Sequence, residues 1–148
     1  MIIWKQQLGL KECPYMERWV IDFKLFSIRL HHWRKSDDSE YLHDHPWWFI
    51  SWVIYGSYTD IWSTSSGLFV RYKNHRPRWS IQKFPSSHIH TVKIPESGCW
   101  TILLCGPVEH DWGFYVKDKF IKFKRYFHKI GHHPCEPGGE RQRTSERK

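Results

Sequence analysis

Along this chain, short stretches of alternating or continuous apolar residues are interrupted by clusters of Gly, Pro, Ser and Asp. Alternation is the rhythm of β-strands, whose side chains point to two faces in turn. In WVIDFKLFSIRLHHW (19–33), Phe26, Ile28 and Leu30 alternate with Ser27 and Arg29, which predicts one or two strands. RKSDDSE (34–40) is a polar loop. WWFISWVIYGSYTDIW (47–62) reads as a long β run broken by a turn or bulge at Gly56. STSSG (63–67) turns the chain and LFVRYKN (68–74) returns as a strand. HRPR (75–78) breaks it again, and WSIQKF (79–84) is a strand that stops at Pro85. SHIHTVKI (87–94) follows, then a PESG turn. The unbroken apolar run CWTILLCG (99–106) predicts a central strand buried on both faces. WGFYV (112–116) and FIKFKRYF (120–127) read as a terminal hairpin.

Composition agrees with a mostly β protein. Alanine, the best helix former, is absent, while β-branched and aromatic residues abound. Aromatic residues make up 18% of the chain, ten of them Trp, so large rings fill the core. At 148 residues the chain suits a single domain. That domain is expected over 1–130, followed by a polar, Gly- and Pro-rich tail over 131–148 that reads as disordered. Eight to ten short strands separated by turns favour a barrel or jelly roll.

The net charge of +8 changes the picture only locally. KDKFIKFKRYFHK (117–129) interleaves Lys and Arg with Phe120, Phe123, Tyr126 and Phe127. Such a strip suits nucleic-acid contact, or an amphipathic terminal strand with its rings in the core; the second reading is preferred. The four cysteines form no C-x-x-C pair. Cys99 and Cys105 share one predicted strand about 20 Å apart, too far for a disulfide. No stretch has the length of a membrane span and no targeting segment is evident, so a cytoplasmic protein with reduced thiols is expected.

The candidate chemistry sits in LHDHPWW (42–48). On a strand His43 and His45 share a face and Asp44 takes the other, so the two imidazoles can converge on one ion. Pro46 ends the ladder where a site must stay open. A second pair, His88 and His90, stands in SSHIHTV with the same spacing.

These motifs resemble those of the cupins, a superfamily of double-stranded β-helix barrels. Its first motif has H-x-H and a Gly eleven residues beyond, as in HPWWFISWVIYG here. Its second has a His shortly after a Pro, as in PSSHIH. DDSEYLHDHPWWFISWVIYGSYTD, HTVKI, WTILLCGPVEHDWGFY and FKRYF further resemble a small, mostly uncharacterised cupin family of bacteria and their phages, the likeness running over about 20–127. The resemblance implies an all-β, cupin-type jelly-roll barrel with a divalent metal on His43, His45 and His90, and His88 as fourth ligand or outer partner. The glutamate of the cupin motif is replaced by Phe49.

Three neutral imidazoles leave coordination positions open, which favours Fe(II); Zn, Ni and Mn remain alternatives. Trp47, Trp52, Tyr58 and Arg71 are candidates for a substrate pocket, Arg71 as a clamp for an anionic group. His31 and His32 are candidates for the metal's outer surroundings. GPVEHDWG (106–113) reads as a structural corner, although Glu109 and His110 could act as acid and base. His132, His133 and Cys135 are treated as a fortuitous cluster in the tail. The leading expectation is a metal-dependent oxidoreductase of dioxygenase type acting on a small molecule. A sugar-phosphate or nucleotide-sugar isomerase or epimerase is one alternative. A non-catalytic ligand-binding or virion-associated module is the other. The resemblance also implies a homodimer and, for a phage-encoded chain, the host cytoplasm.

Overall fold

The computed structural model describes residues 1–10, 13–36, 41–64, 70–117 and 119–129. The expected tail, including His132, His133 and Cys135, lies outside the described residues, as do 37–40 and 65–69 of the loops. The described residues form twelve strands: β1 (Ile2–Leu10), β2 (Cys13–Asp22), β3 (Ser27–Trp33), β4 (Leu42–His43), β5 (Phe49–Gly56), β6 (Tyr58–Ser63), β7 (Tyr72–Arg76), β8 (Ile81–Phe84), β9 (Ile89–Lys93), β10 (Cys99–Cys105), β11 (Gly113–Val116) and β12 (Lys119–Lys122). One short helix, α1 (Phe123–Lys129), follows them. They form two antiparallel sheets of six strands. The first runs β1-β2-β3-β10-β5-β8 and the second β12-β11-β4-β9-β6-β7. Facing each other, they make a jelly-roll barrel, as the pattern of short strands predicts.

Several details depart from the sequence reading. The N-terminal hairpin β1–β2 extends the first sheet, and no alternation in the sequence flagged it. β10 is central, between β3 and β5, but it is not buried on both faces. Cys99, Thr101 and Cys105 are buried while Trp100, Ile102 and Leu104 are half-covered. The terminal hairpin ends at Lys122, and the rest of the expected strand winds into α1. Its rings pack back onto the barrel: Phe123 stacks on Trp112 at 4.8 Å and Tyr126 on Phe114 at 3.7 Å. The break at Gly56 is a residue at φ 69°, where an added Cβ would meet the Gly98 carbonyl.

Inside, one apolar cluster gathers Val53, Tyr58, Val92, Ile94 and Cys99. Another gathers Phe49, Phe84 and Cys105, with Trp47 and Leu103 against it. The first sheet keeps its apolar side chains for its outer face as well. Register aligns Trp19, Leu30, Ile102, Trp52 and Ile81 in one outward row. On β3 the residues turned inward are therefore Ser27, Arg29, His31 and Trp33. No helix among the described residues is long and apolar enough to cross a membrane.

Candidate metal centre

β4 and β9 are neighbours in the second sheet, and their register sets His43 directly opposite His90. Paired residues carry their side chains on the same face, so both rings enter the barrel. β4 is only two residues long; His45 lies just past it, held by its backbone N–H donating to the Ser86 carbonyl at 3.3 Å. The chain between them is anchored on its other side. Asp44 accepts from the Gly113 N–H at 2.8 Å and from the Tyr115 hydroxyl at 3.4 Å. This is the purpose of the aspartate between two histidines: it ties the loop to β11 while its neighbours face inward.

The three rings form a nearly equilateral triangle, with centroids 5.1 Å apart for His43–His45, 5.2 Å for His43–His90 and 5.2 Å for His45–His90. One ligating nitrogen from each lies within 4.8 Å of the others. His45 Nε2 stands 2.9 Å from His90 Nε2. Two imidazole nitrogens each about 2.1 Å from a shared ion, at roughly a right angle, would be about 3 Å apart. The donor set therefore has the dimensions of a divalent-ion site.

Asp60, on β6, completes the arrangement, and sequence reasoning missed it. It is fully buried and accepts from His90 Nδ1 at 2.6 Å and His88 Nε2 at 3.0 Å. A carboxylate on one nitrogen of an imidazole fixes the proton there and leaves the other nitrogen's lone pair free to coordinate. Burial pushes the Asp60 carboxyl up, but the hydrogen bonds from His88 and His90 outweigh it and hold the group well below the usual carboxylate range. His88 thus touches Asp60, and the triad of Asp60, His88 and His90 is a second group of potential ligands. Burial lowers His43 and His45 well below the ordinary imidazole value, reinforced by the neighbouring histidines. Both are neutral at pH 7, as ligands must be. The available signal for Asp60 was its parity with Tyr58 and Trp62 in SYTDIW.

The triad opens into an internal cavity of ≈ 180 Å³. Trp47, Phe49, Trp112 and Phe114 wall it near the histidines, and Tyr58 lines it further along, its hydroxyl donating to Ser51 at 3.4 Å. Of the four pocket candidates, Trp47 and Tyr58 are there. Trp52 is not: its parity on β5 is opposite to the buried Ser51 and Val53, so it points out, 37% exposed, against Trp79. Arg71 is exposed, just ahead of β7, and does not line the cavity. Trp48 packs over Gly106 instead of the site. His31 reaches the cavity, whereas His32 lies outside it, stacked on Trp100 at 4.1 Å. Glu109 is exposed and accepts from Ser86, and His110 Nδ1 donates to the Asp111 carbonyl, which makes this stretch the structural corner expected.

No protein-family model and no curated protein matches the sequence. Solved structures do match in fold. A cupin-2 domain from Rhodospirillum rubrum superposes with a TM-score of 0.59 at 10% identity, covering 78% of this chain and 76% of that one. The chain has the cupin fold. Fe(II) HppE aligns with a TM-score of 0.57 at 9% identity, over 70% of this chain and 56% of its own. Oxalate decarboxylase of Bacillus subtilis, studied for its Mn(II) centres, aligns with a TM-score of 0.57 at 12% identity, over 81% of this chain and 30% of its own. This cupin barrel thus spans little more than half of HppE and less than a third of the decarboxylase. Where the cupin motif has its glutamate, Phe49 packs against His45 at 5.0 Å and Phe84 at 4.9 Å, an apolar wall in place of a ligand.

Proposed function

We propose that this cupin is a metal-dependent enzyme, an oxidoreductase of Fe(II) dioxygenase type that acts on a small molecule. The observation that carries the proposal is the convergence of His43, His45 and His90 on one point of a largely aromatic cavity. These three histidines would hold the ion. When bound, it supplies a Lewis-acidic, redox-capable centre with open coordination positions. Asp60 keeps the His90 proton on Nδ1, so that Nε2 presents its lone pair to the site, and His88 steadies Asp60 from the other side. Trp47, Phe49 and Trp112 exclude bulk water from the triad and give the substrate an apolar surface to lie on. With Phe49 in place of a carboxylate the three inner donors are all neutral, which supports Fe(II) over Mg or Ca, whose preferred donors are oxygens.

The groups that an isomerase would need lie elsewhere: Glu109 and Arg71 are exposed and do not line the cavity. A non-catalytic binding module would use the same cavity. Oxygen uptake separates the two readings. Anaerobically prepared, iron-loaded protein should consume dioxygen when a turning-over substrate is present and not in its absence. Protein that takes up no iron, zinc, nickel or manganese on reconstitution would refute the metal-dependent reading outright.

A further inference from the structure

The cavity has a second polar wall that the metal proposal leaves unused. Register places Gln6, Arg18, His31 and Thr101 in one row across β1, β2, β3 and β10. Directly opposed residues share a face, with Cβ atoms about 5 Å apart, and Arg18, His31 and Thr101 all line the cavity. The row belongs to the first sheet, whereas His43 and His90 belong to the second.

This wall has donors without acceptors. His31 is 6% exposed and, among the described residues, neither of its ring nitrogens has a hydrogen-bond partner; Thr101 Oγ1, at 2% exposure, has none among them either. Burial of unsatisfied polar groups is costly and rare in native structures. Arg18 donates from Nε and Nη2 to the same neutral oxygen, Oε1 of Gln6, at 3.0 and 2.6 Å. Among the described residues it forms no ion pair. Arg29, also on β3, adds to the positive field and lies 4.4 Å over the Trp47 ring. Burial, with Arg29 as a second cause, lowers the Arg18 pKa, as expected of a guanidinium short of a counter-anion.

We infer that Arg18, His31 and Thr101 form an anchoring subsite for the carboxylate of a small organic acid, which lies across the cavity with its other end toward the histidine triad. A carboxylate supplies the acceptors this wall lacks: it takes Arg18 N–H groups beyond those given to Gln6, an imidazole N–H and the Thr101 hydroxyl together. Its identity as the substrate's anchor rests on the metal centre proposed above; the binding of the anion does not.

The test is calorimetric titration of the full chain, stripped of metal, with acetate and with benzoate, using acetamide as the uncharged control. Saturable carboxylate binding without acetamide binding is expected. Arg18→Gln should weaken it about tenfold or more, and Thr101→Val, which removes only a hydroxyl, about threefold to tenfold. Metal content after reconstitution should be unchanged in both variants. If Arg18→Gln does not fold, Thr101→Val decides. The inference is overturned if metal-free protein binds no carboxylate at millimolar concentration, or if the folded variants bind it as tightly as the parent. Carboxylate binding in a protein that takes up no metal would leave the subsite standing and remove the proposed enzyme.

Discussion

The two inner walls of the barrel treat their polar groups in opposite ways. On the second sheet, the group around Asp60 answers itself: His90 and His88 donate to Asp60, and His45 meets His90 nitrogen to nitrogen. On the first sheet, the ring nitrogens of His31 and the Thr101 hydroxyl face the cavity with no hydrogen-bond partner among the described residues. A satisfied network is preorganised, and it holds its geometry before any ligand arrives. An unsatisfied wall is a stability cost that a bound ligand or ordered water can offset. On the reading proposed above, the first of these walls would position an ion and the second would receive a substrate.

The comparison breaks most severely at the triad. His90→Ala should lower divalent-metal affinity more than ~100-fold, because even outer partners of a metal site are worth about 10–100-fold; competition against a chromogenic chelator measures it. Asp60→Asn should lower it about 10–100-fold. It should also destabilise the metal-free protein by about 2 kcal/mol, because two buried imidazole donors lose a charged acceptor. Urea denaturation at pH 7.5 reads that loss directly.

Acid should act through the buried imidazoles of both walls. Burial, together with Arg18 and Arg29, lowers the His31 pKa to about 3. The unfolded chain binds a proton near pH 6.5 that the folded chain refuses, so stability falls as pH drops from about 6.5 toward 3. Each such imidazole contributes up to ~1.4 kcal/mol per pH unit. His31→Gln should flatten the pH dependence of the urea midpoint between pH 6 and 5. An unchanged slope would show that His31 protonates normally in the fold. The smallest effect sharpens the contrast. Thr101→Val removes an unpartnered buried hydroxyl, so it should be neutral or stabilising by up to ~1 kcal/mol, whereas Asp60→Asn is destabilising.

Much of this was legible in the residues. The H-x-H pairs were readable because parity puts each pair on a shared face; the register of β4 against β9 then sets His43 opposite His90. The break at Gly56 was readable because a residue at φ 69° leaves a compositional mark. Alternation on β3 was equally visible, but it shows only that two faces differ. The inward set there is Ser27, Arg29, His31 and Trp33, because a polar row of the first sheet faces the otherwise mostly apolar cavity while the sheet's outer face is apolar too. Trp52 illustrates the same ambiguity, one step out of phase with Ser51 and Val53 on a strand where both faces are hydrophobic. Asp60 was hidden as a lone acid in an aromatic run; only pairing of β6 with β9 brings it to His90. Arg18 sits on the hairpin that alternation did not reveal.

The central claim is that imidazoles from β4, its following loop and β9 hold one divalent ion. Elemental analysis of protein purified without added chelator and reconstituted anaerobically with iron, beside a His43→Ala/His45→Ala variant shown to be folded, tests it most directly. The account predicts one ion per chain in the parent and essentially none in the variant. Equal metal in both, or none in either, would contradict it.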